Sequence, residues 1–556
     1  MIGVIAKPSE RAVVAEFFEL FKTPWEWFHS DRRYEVVLCT SYENIDASRA
    51  ELVVLYAGHQ VGSDSENLFE TNAACGPAVL FHQQDRLPIY GDLVTFREAA
   101  SASLREKGSG RPAMCRRVSG NRTLVRVGYD LFREIEHLLT DGQPAEFAHV
   151  PAIELHIALL REIILSAGLE LIEVPPIPYG YQFVTCLTHD VDHPAITRHV
   201  WDHTIAGFLY RAVVGSLINL LRGRNGWREF MTNWAAAFRL PFVYLGLARD
   251  FWQGFDDRYL ALEQGLSSTY FFIPFKDRAG KCAQGSAPKR RAARYSAREL
   301  AGTICRIIAE GCEVGLHGID AWLNLAAARE ELDEIRRITG SPEVGARMHW
   351  LYSAQGSPAV LEQAGAAYDS TVGYRETVGY RAGTIQAYKP LNAQSLLELP
   401  LHVMDTALFY PAYMGLSSTQ ATSVLQGFTC DASRFGGCFT INWHDRSLAP
   451  ERLWGACYRG VIDELKGRNA WFATAGQAAA WFRKRRSVIF ESDDKTGDGV
   501  RTRIASDDGD ELPSLRLRVY PPQPGGSMGA STLPAFEDRK MDRKAEVQSA
   551  CPAGIS

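Results

Sequence analysis

Apolar positions recur along this chain with two periods, and the alternation between them outlines its organisation. Over residues 1–175, compact runs such as YEVVLCT (34–40) and ELVVLYA (51–57) read as buried strands, separated by segments of helical period. The last of these, VPAIELHIALLREIILSAG (150–168), precedes the turn-rich EVPPIPYGY. The order predicts a small N-terminal α/β domain over 1–175, closed by a helix. Between 180 and 485 the strand-like runs are FVTCLTH, STYFFIP, EVGLHG and FTINWH, with helix-patterned stretches such as ARELAGTICRIIAEG between them. Strand–helix alternation of this kind predicts an α/β fold, a parallel sheet or barrel with its helices outside. RSVIFES, GVRTRIAS and SLRLRVYPP then alternate apolar with polar residues and predict a small β appendage over 486–521. From 522 to 556 no apolar period remains, and the Gly, Ser, Pro and charge-rich composition predicts a disordered tail.

Composition narrows the functional classes. The 60 Lys and Arg nearly balance the 65 acids, a net charge of -5, so no general attraction to nucleic acid or to an anionic membrane is expected. The most apolar long stretch, IAGFLYRAVVGSLINLL (205–221), is short for a membrane span and carries Arg211; an amphipathic helix is the expectation. The N-terminus lacks the basic and apolar regions of a secretory signal, and the eleven cysteines form no C-x-x-C pair. Reduced thiols in a cytoplasmic protein follow as the expectation.

The chemistry concentrates at strand ends. CLTHDVDHP (186–194) sets Asp190 and Asp192 between His189 and His193 directly after an apolar run. Side chains alternate across a strand, so Asp190 and Asp192 share one face while His189 and Val191 share the other. Two carboxylates pointed together repel unless a cation, a proton or an arginine neutralises them, and a divalent metal is the economical solution. A solvated D-x-D turn is the plainer alternative. The pattern recurs: CEVGLHGIDAW ends in His317, VGARMHWLY in Arg347 and His349, and GCFTINWHD in His444. Together these ends offer a metal-binding carboxylate, imidazoles, a second carboxylate as base, a guanidinium and a separate imidazole as acid. Those are the parts of a metal-assisted hydrolase.

In their order, THDVDH, EGCEVGLHG, GARMHW, GAAYDSTVGY and INWHD resemble the bacterial polysaccharide deacetylase family, the NodB-homology domains, and in particular its branch with H-D-V-D and R-x-H motifs and a GYRAGT segment. The resemblance covers roughly residues 180–480. It implies a distorted (β/α) barrel of about seven strands that binds a divalent metal, commonly zinc, and removes N-acetyl groups from the amino sugars of a carbohydrate. Carried over residue by residue, it implies Asp190 as base, Asp192 and His317 as metal ligands, Arg347 as the residue orienting the base, a backbone N–H near Trp350 for the oxyanion, and His444 as acid. Asp369, in YDSTVGY, is implied to orient an imidazole or meet substrate, and Arg381, in GYRAGT, to hold a substrate anion or brace the site.

Two departures matter. Val191 separates aspartates that are adjacent in most members, so their roles could be exchanged. The family's H-x-x-x-H is broken, since Ala321 stands four residues after His317. Asp320 or His349 must supply the third ligand, and His349 is the better replacement as an imidazole at the barrel top. Two rivals stay open: hydrolysis of a small non-sugar amide, and a metal-poor pseudoenzyme that binds carbohydrate. The tryptophans 322, 350 and 443 suit sugar stacking and core filling equally.

Overall fold

The runs that the apolar pattern marks as strands do form strands, and the structure settles their partners. The computed structural model describes residues 1–40, 49–62, 64, 70–74, 77–97, 103–223, 226–492, 500–505, 511–522 and 535–541. The chain divides into two units, one built from residues 1–180, 382–384 and 481–556, the other from 181–381 and 385–480.

In the first unit a six-stranded sheet runs Met114–Ser119, Arg122–Val127, Leu52–Tyr56, Val36–Cys39, Ile2–Ile5, Trp25–Trp27. Its pairings are parallel except the hairpin Met114–Ser119/Arg122–Val127. The helix Ala152–Ser166 forms where the 150–168 run predicted it. The C-terminal strands do not make a separate appendage. Val488–Ser492 and Val500–Ile504 pair as a hairpin, but Leu515–Tyr520 lies between Leu171–Glu173 and Glu537–Met541 in one antiparallel sheet. Alternation marked residues 515–520 as a strand without naming a partner, and the free edge of Leu171–Glu173 supplies one. Glu537–Met541 falls inside the expected tail and is paired; residues 523–534 and 542–556 of that tail lie outside the described residues.

The second unit is a barrel of parallel staves. Val184–Val191 pairs on one side with Ser268–Phe272, which pairs with Glu313–Gly318, which pairs with Ala346–Met348. On its other side stand Cys438–Asn442 and then Val403–Met404. Single parallel bridges, Ala346 to Asp369, Asp369 to Glu398 and Gly373 to Leu401, close the ring. That makes seven staves, two of them held over part of their length by isolated bridges, which is the distortion expected. The floor of the barrel is polar. Half-buried Glu313 accepts hydrogen bonds from Thr269, Tyr368 and the Gly476 N–H. Gly345 makes room for that tyrosine, since a Cβ there would lie 2.0 Å from its ring. Helices pack outside against the apolar faces of the staves, around a large core that includes Leu187, Phe272, Leu316, Leu332, Ile441 and Leu465.

Candidate active site

Every titratable end singled out along the barrel sits at the C-terminal mouth, where parallel strands present their last residues to substrate. The first stave separates its side chains by alternation. His189 points outward, its ring 3.9 Å from that of Tyr259 and 4.6 Å from that of Tyr270, with Nε2 3.0 Å from Glu263 and Nδ1 donating to the Trp443 carbonyl. Asp190 and Asp192 point inward, toward His317. His193 is turned to His199 and takes no part in the cluster.

Asp190 is buried and held from two sides. Arg347 Nη1 donates to Oδ1 at 3.0 Å, and Asn442 Nδ2 to Oδ2 at 2.8 Å. Arg347 is itself completely buried, its remaining donors taken by Thr188 Oγ1, the Ser370 carbonyl and Ser370 Oγ. A guanidinium tethered at each of its three nitrogens holds the carboxylate in one orientation.

Asp192 faces three imidazoles. Its Oδ1 lies 3.3 Å from His317 Nε2 and 3.6 Å from His349 Nε2, and its Oδ2 3.8 Å from His444 Nε2. One ligand atom each from Asp192, His317 and His349 lie within 4.8 Å of one another. His317 donates Nδ1–H to the Arg347 carbonyl, which leaves the Nε2 lone pair for a cation. Burial first, and the nearby His317 and Arg291, push His349 down to about 3. The same cluster, with His349 the leading partner against the cost of burial, keeps the Asp192 carboxyl well below its usual range. Asp192 Oδ1 and His349 Nδ1 are buried without a hydrogen-bond partner. One carboxylate and two imidazoles, with a carboxylate oxygen and a ring nitrogen left unpartnered, fit a divalent cation, with room for a fourth ligand.

At the broken motif the structure places His349, not Asp320, beside His317. Ala321 is buried in the apolar core, while His349 stands with its ring 5.0 Å from that of His317. Asp320 is turned away and accepts the Lys281 N–H. Arg291, which nothing in the sequence pattern marks, ties together the segments that follow Glu313–Gly318 and Ala346–Met348 by donating to the Ile319 and His349 carbonyls. After His349 the chain turns through two left-handed residues, Trp350 at φ 64° and Leu351 at φ 54°. Non-glycine strain of this kind collects at functional sites. Trp350 is half-exposed between Arg375 and Arg290, 5.2 and 5.7 Å from its ring. Trp322 and Trp443 are buried.

His444 is gripped by a carboxylate the sequence reading missed. Its Nδ1 lies 2.6 Å from Asp405 Oδ1, and its backbone N–H donates to Asp405 Oδ2. Burial would lower this imidazole, but Asp405, then Asp192 and Asp190, raise it to about 10, so it is protonated at neutral pH. Asp405 follows the stave Val403–Met404, the neighbour of Cys438–Asn442, and ends the run LPLHVMD in the same apolar-then-acid manner as the other strand ends. Asn442 stands two residues before His444, on the same face.

Two expected residues are not brought to the cluster. Asp369 does not orient an imidazole: it accepts from Thr371, and its stave stands between those of Ala346 and Glu398, away from His444. Buried beside Glu398, it is pushed up to about 6. Arg381 lies over the Tyr374 ring at 5.5 Å.

No family model and no curated protein matches the sequence. Among solved structures, a candidate polysaccharide deacetylase from Mycobacterium smegmatis is 18% identical and covers 56% of this chain and 94% of its own, at a TM-score of 0.34. A candidate polysaccharide deacetylase from Pseudomonas aeruginosa PAO1 is 14% identical over 56% of this chain and 95% of its own, at 0.32. Puue allantoinase is 13% identical over 55% and 91%, at 0.30. Scores this low carry no weight for an activity, which must rest on the geometry.

Proposed function

We propose that this chain is a metal-dependent amide hydrolase that removes N-acetyl groups from amino sugars of a glycan or glycan precursor. One observation carries the reading: the Asp192–His317–His349 triangle stands between a carboxylate held by a guanidinium and an imidazole held by a carboxylate. The donor set suits zinc. When bound, such an ion polarises the amide carbonyl and eases ionisation of water.

The chain's own residues do the rest. Asp190, aimed by Arg347 and Asn442, takes the proton from the attacking water. His444, already charged through Asp405, returns a proton to the departing amine. The backbone at the strained Trp350 turn offers an N–H to the developing oxyanion, and the half-exposed ring offers a face to the sugar. His349 in place of the missing family histidine disfavours the pseudoenzyme, because the ligand set is complete without Ala321.

Acetate release from N-acetylated glycosides tests the proposal. Chelation should abolish it, and zinc or cobalt should restore it. Asp190→Asn should keep metal and lose about 10² to 10⁴ in rate. Full turnover in metal-stripped protein would reject the mechanism.

A further inference from the structure

Three guanidiniums gather beside the His444–Asp405 pair without enough negative charge to answer them. Tyr410 directly follows the helix Asp405–Phe409, so it stands about 7 Å along the helix axis from Asp405. Arg446, two residues beyond His444, donates to Tyr410 Oη at 3.2 Å. Arg452 is buried against the rings of Tyr410 and Trp454, and its Nε and Nη1 have no hydrogen-bond partner. Arg211 reaches in from a π-helical turn, Tyr210–Gly215, an irregularity that often marks functional positions. Its Nε and Nη2 also lack a hydrogen-bond partner. The single ion pair made by these three arginines among the described residues is Arg211 to Glu451, at 3.6 Å, and Trp252 already donates to that carboxylate.

Orphaned guanidinium donors inside a protein are costly, and a multidentate oxyanion is what their fork geometry fits. Burial would raise Tyr410, yet Arg446, Arg452 and Arg211 bring it down to about 7, which reports the strength of the positive field. We propose that Arg211, Arg446 and Arg452 bind an anionic group, phosphate or carboxylate, carried by the substrate close to the acetamido group that is cleaved. The inference rests on the amidase reading for its orientation, not for the existence of the anion site.

Calorimetric binding to metal-loaded protein at fixed ionic strength tests it, with N-acetylglucosamine, its 1-phosphate and the corresponding N-acetylated uronic acid as probes. An anionic sugar should bind at least about tenfold tighter than the neutral one, and Arg211→Gln should remove most of that preference. The phosphate and carboxylate arms tell which anion the site takes. Arg211 is partly exposed, so its variant should fold where Arg452→Gln fails. Equal binding of neutral and anionic sugars, or a preference that survives both Arg211→Gln and Arg446→Gln, would overturn the site. An anion preference without any acetate release keeps the site and rejects the amidase; acetate release without the preference does the reverse.

A separate observation concerns the outer face of the helical segment that carries Arg211. The helical segments spanning His203–Leu221 and Trp227–Tyr244 pack their inner faces together through Phe208, Ala212, Leu240 and Val243. Their outer faces and the residues flanking them carry an unusual load: of nineteen exposed large apolar side chains among the described residues, fourteen lie between 200 and 247. They include Trp201, Trp227, Phe238, Phe242, Leu245 and Leu247. Arg222, Arg228, Arg239 and Arg249 are exposed there, against one glutamate, Glu229, between residues 203 and 249. A second copy docked face to face would set those arginines against each other. An anionic lipid surface complements both properties, since apolar and aromatic side chains enter the headgroup boundary while arginines meet phosphate.

We infer that this helical pair lies on an anionic bilayer. Flotation of the full chain with phosphatidylcholine vesicles, with and without phosphatidylglycerol, tests it. Binding should require the anionic lipid, weaken with salt, and fall at least about tenfold in the double variant Phe238→Ser/Leu247→Ser, which spares the inner packing. No association at low salt, association untouched by the double variant, or a concentration-dependent dimer that the variant abolishes would each overturn it.

Discussion

Asp405→Asn asks whether a buried carboxylate keeps the His444 imidazole charged. The pair is short, 2.6 Å between Nδ1 and Oδ1, and Asp405 has no solvent exposure. His444 stands at about 10 against an ordinary 6.5, a preference for the charged form of about 5 kcal/mol. Asp405 is the leading cause that raises it; Asp192 and Asp190 supply the rest. Replacing a charge-assisted hydrogen bond by a neutral one removes about 1.5–3 kcal/mol, which is about 1–2 pH units. The sign follows from the role. An acid must hold its proton, so its loss appears on the alkaline side. The alkaline limb of kcat/KM against pH should therefore move down by about 1–2 units in Asp405→Asn, and an NMR titration of the His444 ring should move with it. Rate below the new limb should suffer much less than rate above it. A limb that stays in place, or a loss of equal size at every pH, would refute the assignment of charge on His444 to Asp405.

Other outcomes follow from the same geometry. His349→Ala should weaken zinc binding by about 100-fold or more in a competition titration, since even outer-shell changes cost 10- to 100-fold, while Asp320→Ala should leave it unchanged. Arg347→Met strands the Asp190 carboxylate in a buried site and should cost about 3–5 kcal/mol in denaturant unfolding, with turnover lost as well. In the other unit, burial pushes His156 down to about 3. Its unfolded form takes up a proton near 6.5, so stability is intact above that pH and lost as pH falls toward 3, by up to about 5 kcal/mol. His156→Leu should flatten that acid slope between about pH 6.5 and 4 in unfolding measurements, relative to the parent chain.

Local pattern carried much of this molecule. Apolar runs ending in titratable residues marked Val184–Val191, Glu313–Gly318 and Cys438–Asn442 as staves, and the period of two placed Asp190 and Asp192 on one face. His349 was legible as the candidate third member of the Asp192–His317 cluster, because its spacing from Arg347 and the loss at Ala321 are both local facts. What tertiary structure alone decided were the partners. Asp405 lies thirty-nine residues before His444, and only the neighbouring of their two staves turns it into the imidazole's carboxylate in place of Asp369. Asn442 on Asp190 and Arg291 on the His349 carbonyl are equally long-range. The strand at 515–520 announced itself by alternation, yet its pairing with Leu171–Glu173 across more than three hundred residues was invisible. The reason is physical: periodicity records which face of an element meets apolar surroundings, whereas hydrogen bonds and ion pairs record which elements the closing of the barrel brings side by side.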